Sequence, residues 1–227
     1  RFVTVNKPGA SHNIGYQYVN ETNKPTLFIS TDTVITNKGR EGYPDGIVDK
    51  IQPIFLLGHF TNIVFVNSKS NIYTIDDLIE LSKKRDIRFG HGGVGTYSYQ
   101  TSTLLCEGQI SCLQVPYKSS SSAMLDLMND TIDAYSLTSY GSESFLENTN
   151  FRPIVMFSNT KHRTMAVNIL PQKMRDLETK NWIVLFGRNL SEEQQKKIYT
   201  TLHSKPTSFY TNLGVWYKSG EQIKWNK

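Results

Sequence analysis

Apolar segments of strand length recur along the chain, at Leu27–Ser30, Asn62–Val66, Ile87–Phe89, Cys112–Val115, Ile132–Tyr135, Pro153–Phe157 and Trp182–Phe186. Between several of them the apolar residues are spaced for helices instead. Thr74 followed by Asp77 has the form of a capping box, and Ile75, Leu78, Ile79 and Ser82 then share one face. Ala123, Leu125, Leu127 and Met128 predict a helix after the serine run Ser119–Ser122. Ser191 with Gln194 opens another, with Ile198 and Leu202 on its buried side. Helices alternating with strands predict an α/β chain with mainly parallel pairing.

Two polar stretches read as crossings between lobes. One follows the strand Ile63–Val66, at Asn67–Ser70, and the other lies between Ser158 and Lys180, before Trp182. Residues 1–67 and 181–227 then form lobe 1 and residues 68–180 lobe 2, with a ligand cleft expected between them.

Candidate chemistry concentrates in the glycine-rich stretch Gly90–Ser98. It joins a strand-like segment to a helix-like one that contains Leu104 and Leu105. Glycine permits a sharp turn and close approach to a guest. The first amides of the helix beyond it have no acceptor inside the helix and favour an anion. Thr96 and Ser98 add hydroxyls that either donate to a ligand or cap the helix. A seat for a small carboxylate and a plain strand-to-helix turn fit this stretch equally.

The 227 residues suffice for one large domain or two small lobes. With 38% hydrophobic and 20% charged residues, a packed core is expected. The formal charge is +5, but Lys83–Arg85 and Lys196 with Lys197 fall on polar helix positions. No basic stripe with interleaved aromatics points to nucleic acid, although a positive field helps attract anions. No apolar run is long enough to span a bilayer. The chain begins at Arg1 without a secretory leader, so it is read as a mature product or a fragment.

Cys106 and Cys112 flank a turn-like segment. They can form a small-loop disulfide in an oxidising compartment or serve as two small apolar residues in a reducing one. No metal site is expected, because no His or carboxylate cluster joins them at ligand spacing. His12, His59, His91, His162 and His203 show neither ligand nor triad spacing, though His91 sits inside the glycine stretch. Asp76 with Asp77 and Glu192 with Glu193 each occupy a first helical turn and complement its dipole. No G-x-S-x-G elbow and no Gly-Lys-Ser/Thr phosphate loop occurs.

Several segments, taken in order, resemble one family. Asn6–Ala10 with Asn13–Gly15 resembles its N-(K/R)-P-G-A-G-G-N-I-G segment, and Ser30–Thr33 its G-T-x-T loop. Val66, Asn67, Thr74, Asp77 and Leu78 resemble V-N-P…T-x-x-E-L, and Gly93–Tyr99 resembles G-x-G-T-x-S-H. Val115–Lys118, Ala123, Asp126, Leu127 and Asp133 resemble V-P-Y-K-G…A-x-x-D-L-L-x-G-x-V-D, and Trp182, Leu185 and Phe186 the W-x-G-L-F strand. These belong to the periplasmic solute-binding receptors of tripartite tricarboxylate transporters, the Bug or TctC-like proteins.

The resemblance implies a type II periplasmic-binding-protein fold and a non-enzymatic, monomeric receptor. It implies capture of a small organic carboxylate in the interlobe cleft for membrane permease subunits, with no cofactor and no nucleic acid. It places Gly95, Thr96, Tyr97 and Ser98 as the carboxylate cradle of lobe 2, Thr31 and Thr33 across from them, and Thr138 with Ser139 as further donors. Asn6–Gly9 and Tyr117 are read as structural. Neutral donors hold a carboxylate without a buried ion pair that release would have to break.

The departures are specific. The chain opens on Arg1–Val5, which resembles the family's second strand, so the first strand, its loop and its helix are not in this sequence. Ser11 and His12 replace a glycine pair, Tyr99 a histidine, and Leu137 an acidic residue suited to a ligand ammonium. Tyr97, Tyr99 and Tyr140 favour a bulkier or aromatic acid. The alternatives are a divergent or truncated receptor-like protein acting as a sensor or interaction partner, and an α/β enzyme gripping an anionic substrate with the glycine loop.

Overall fold

The computed structural model describes residues 3–7, 9–161 and 165–205, with Ser11 described by its backbone alone. Pro8, His162, Arg1 and Phe2, named above, lie outside the described residues. In chain order the elements are α1 (Asn13–Glu21), β1 (Thr26–Thr31), α2 (Thr33–Thr36), α3 (Ile47–Lys50), β2 (Gln52–Phe60), β3 (Asn62–Asn67), α4 (Ile75–Ser82) and β4 (Ile87–His91). There follow α5 (Tyr97–Cys106), β5 (Cys112–Pro116), α6 (Ser120–Met128), β6 (Ala134–Thr138), α7 (Glu143–Leu146), β7 (Phe151–Met156), β8 (Asn181–Arg188) and α8 (Glu192–His203).

The chain divides into two compact units, residues 1–59 with 181–227 and residues 60–180. The first division falls earlier than the sequence suggests. Val66 ends no lobe, because β3 pairs with β6 and β7 in the sheet of the second unit. β2 and β3 are separated only by Thr61, so the polar segment after Val66 is a turn within the second unit, not a crossing.

The first unit carries a three-stranded sheet in the order β1-β8-β2. β1 and β8 run antiparallel, from Thr26 opposite Arg188 to Thr31 opposite Ile183. Alternate residues of β8 serve opposite faces, as strand geometry requires. Val184 and Phe186 pack with Tyr16 and Val19 of α1, Val34, Tyr43 and Ile47. Ile183 and Leu185 pack with Ile54, Phe55 and Leu57 and with Ile198, Tyr199 and Leu202 of α8. A Ser191/Gln194 capping box starts α8 as its sequence predicts. Residues 3–7 form no strand, although the resemblance implies one there, and Val3 and Val5 remain exposed.

The second unit carries a five-stranded sheet in the order β5-β4-β6-β3-β7. β4 is parallel to β5 and β6, whereas β3 is antiparallel to β6 and β7. The expectation of mainly parallel pairing is therefore corrected to a mixed sheet. Parallel pairing accompanies the α5 and α6 crossovers, while β3 enters the sheet directly from β2 with no helix between them. The core joins Val64, Val66, Leu78, Ile87, Phe89, Leu105 and Phe157. α4 begins at the Thr74/Asp77 capping box and buries Ile75, Leu78 and Ser82. Cys106 and Cys112 form a disulfide between the end of α5 and the start of β5.

Candidate functional site

In the second unit, neighbouring parallel strands β4 and β6 end on the same side of the sheet. Phe89 lies opposite Ala134 and Gly90 opposite Tyr135, so the residues after His91 and those around Thr138 emerge together. The chain leaving β4 turns through Gly93 and Gly95, whose φ angles of 93° and 89° disfavour any side chain. It then enters α5 with Thr96 as N-cap.

This turn is closed by its own hydrogen bonds. Thr96 Oγ1 donates to the Gly93 carbonyl (2.7 Å) and accepts from the Tyr99 amide (3.3 Å). Gly92 N–H donates to Ser98 Oγ (2.9 Å), which lies 3.2 Å from Thr96 Oγ1. The single proton of Thr96 is thus committed to Gly93, and its hydroxyl serves the helix cap. Ser98 is different: it accepts from Gly92, and its own proton can turn toward Thr96 or toward a guest. The Ser98 amide, in the first turn of α5, has no acceptor inside the helix.

Gly93 N–H donates to His91 Nδ1 (3.0 Å), so that nitrogen is unprotonated. His91 is buried, its ring lies edge-on to Tyr99, and burial lowers its pKa from the ordinary imidazole value. Thr138 ends β6 opposite Asn62, the first residue of β3. Asn62 Nδ2 donates to the Tyr97 carbonyl at 3.4 Å, which ties β3 to the start of α5. Asn62 Oδ1 and Ser136 Oγ are buried and have no hydrogen-bond partner among the described residues. Ser139, also buried, accepts from the Thr61 amide (3.4 Å). The rings of Tyr97 and Tyr140 both pack edge-on against Phe60, with centroids 4.9 Å away.

Four of the named positions, Gly95, Thr96, Tyr97 and Ser98, thus form one turn, and the strand pairing brings Thr138 to the same sheet end. Tyr117 donates to Asp126 Oδ2 at 2.7 Å, and burial with that carboxylate raises its phenol to about 12. Leu137 lies within β6 and is buried.

In the first unit Thr31 and Thr33 join a hydroxyl cluster. Thr33 Oγ1 lies 2.7 Å from Thr31 Oγ1, 2.7 Å from Tyr16 OH and 3.2 Å from His12 Nδ1. Tyr16 OH is also 2.8 Å from Ser30 Oγ. Burial raises the Tyr16 phenol while desolvation lowers the His12 imidazole. His12 keeps a solvent-exposed face even so. Sequence reasoning missed Tyr16, Ser30, Asn62 and Ser136. Asn62, at the start of β3, and Ser136, within β6, put polar side chains into otherwise apolar strands, and that was the available signal.

A family model described as tripartite tricarboxylate transporter family receptor (TctC) matches residues 2–212. No curated protein matches the chain. The solved structure of R. palustris Rpa4515 with adipate is 20% identical, covering 92% of this chain and 75% of that one at a TM-score of 0.80. The periplasmic binding protein BugD is 20% identical over 92% of this chain and 74% of its own, with a TM-score of 0.73. MatC (Rpa3494) from Rhodopseudomonas palustris with bound malate is 14% identical over 92% and 76%, with a TM-score of 0.69. At these identities the likeness shows the fold, that of the periplasmic binding proteins.

Proposed function

Since the chain belongs to the tripartite tricarboxylate transporter family of receptors, we propose that it captures a small organic carboxylate in the periplasm and presents it to membrane permease subunits. The observation that carries this reading is the turn from β4 into α5, where the Ser98 hydroxyl and the first-turn amides are neutral donors set for an anion. One acid draws on donors from both units: the Gly95–Ser98 turn and Thr138 from the second, and Thr31 from the first, with Thr33 holding the Thr31 hydroxyl from behind. The adipate and malate bound in similar structures make di-acids the first ligands to try.

Binding without covalent chemistry fits the hydroxyls better than catalysis does. Thr33 lies against an imidazole, but it is only 2% exposed and is already engaged by Tyr16 and Thr31. Its oxygen is poorly placed to attack a substrate. Calorimetric titration with adipate, malate, citrate and benzoate tests the receptor reading. Saturable binding of at least one acid, without its consumption, is expected. Failure of all four to bind, or turnover of any, would overturn it.

A further inference from the structure

The hydroxyl cluster of the first unit has a branch point. Thr33 Oγ1 has three polar neighbours, Tyr16 OH, Thr31 Oγ1 and His12 Nδ1. A hydroxyl has one proton to give and two lone pairs to offer, so three neighbours saturate it. The direction of one bond then constrains the other two.

We propose that His12 is the proton-sensing residue of the carboxylate site: a proton on its Nδ1 reverses the hydrogen-bond chain through Thr33 and turns the Thr31 hydroxyl into a donor for an anion. The inference rests on the reading of Thr31 as a ligand contact. With Nδ1 bare, Thr33 gives its proton to His12 and must accept from both Tyr16 and Thr31. The proton of Thr31 then points into the cluster, and a guest meets only lone pairs, which repel a carboxylate. With Nδ1 protonated, His12 donates to Thr33. Thr33 accepts from His12 and Tyr16 and gives its own proton to Thr31. The Thr31 proton is released to point outward, and a positive imidazolium stands behind it. No atom has to move by more than a hydroxyl rotation.

The position of His12 suits a proton that is loosely held without ligand. The residue is the N-cap of α1 in the left-handed region (φ 77°), where the positive end of the helix opposes an imidazolium. Desolvation acts in the same direction. The titratable groups around it are Tyr16, whose ring centroid is 6.2 Å away, Tyr43, edge-on to Tyr16, and Asp32, whose charge acts on Tyr16. Both phenols are raised, that of Tyr43 to about 12, so His12 is the group among these that changes charge near neutrality. A bound carboxylate supplies the missing counter-charge, so acid binding takes up a proton.

The test uses the whole chain with adipate, malate, citrate and benzoate as probes. Calorimetry in buffers of different ionisation enthalpy, from about pH 6 to about pH 8, should show uptake approaching one proton per acid bound. Affinity should fall by up to about tenfold per pH unit over the same range. In His12→Asn, which tolerates a left-handed backbone, uptake should vanish and the pH profile flatten. Imidazole 15N shifts should report a bare Nδ1 in the free protein at the upper pH and a protonated one in the complex. Acid binding with no proton uptake, uptake that survives in His12→Asn, or an Nδ1 protonated without acid overturns the inference while leaving the receptor reading intact. Failure of every probe to bind at every pH overturns both.

Discussion

Two side chains of the β4–α5 turn hold different parts of it, and their substitutions separate. Ser98 Oγ accepts from the Gly92 amide and has a proton for a guest. Ser98→Ala should therefore cost about 1 kcal/mol of stability and weaken acid binding by about tenfold, read by thermal unfolding and by calorimetry. A stability loss with unchanged affinity would remove Ser98 from the cradle. His91 acts on the turn through Nδ1, which must be bare to accept from Gly93. Its pKa is lowered in the folded protein, so the neutral form is the one folding favours. The stabilisation is complete above the ordinary imidazole value of about 6.5 and is lost as pH falls through the lower folded value. Unfolding free energy should thus decline on acidification below about pH 6.5, and His91→Gln should flatten that part of the profile. A wild-type profile as flat as the variant's would contradict the role. These residue pairs were legible where they lie within a few positions of each other, as Thr96 with Ser98 and Thr31 with Thr33 do. The meeting of His12 and Tyr16 at Thr33 was not, since α1 must first pack against the end of β1 and the start of α2 before those side chains converge.

Elements bearing local signals matched the sequence best. The capping boxes of α4 and α8 fix where those helices begin, because cap and third residue satisfy each other without help from the rest of the fold. β2 was missed: Pro53 and Gly58 interrupt its pattern, and its burial on both faces removes the alternation that marks a strand. β6 begins at Ala134, two residues later than the apolar run suggests, because Asp133 is held by other partners. The Asp133 carboxylate takes paired hydrogen bonds from Arg85 and from Arg88, and one more from the Arg88 amide. Burial alone would raise this carboxyl, but the guanidinium and amide donors outweigh it and hold it well below the usual range. Its contribution should be constant above the unfolded carboxylate value of about 4 and disappear as pH falls toward the folded one. Asp133→Asn should lower stability by about 2 kcal/mol at neutral pH and much less in acid, a difference that denaturant titration at both pH values reads. The disulfide ties α5 to β5 over a sequence separation of 6. Chain-entropy arguments give such a small loop about 2 kcal/mol, so reduction should lower the melting temperature without abolishing folding. An unchanged melting point after verified reduction would show that the surrounding core suffices.

At the scale of the molecule, each unit has its own sheet and its own buried core, and the chain passes between them at residues 59/60 and 180/181. The fold class was legible because family motifs and strand spacing run through both units. The first boundary was not, because a single residue joins β2 to β3 and composition does not change across it. Neutral donors occur in each unit, and the proposed reading assigns both sets to one ligand. Saturating acid should stabilise the protein by RT ln(1 + [L]/Kd), about 2.7 kcal/mol at a hundredfold excess over Kd. The distribution of that protection is the sharper observation. If one acid bridges the units, amide hydrogen exchange should slow both around Thr31–Thr33 and around Gly92–Ser98, to a similar degree and over the same concentration range. Protection confined to the glycine turn would describe a site complete within the second unit, leaving the hydroxyl cluster of the first as packing. Protection at both, lost from both in Ser98→Ala, requires that the two units read a single ligand.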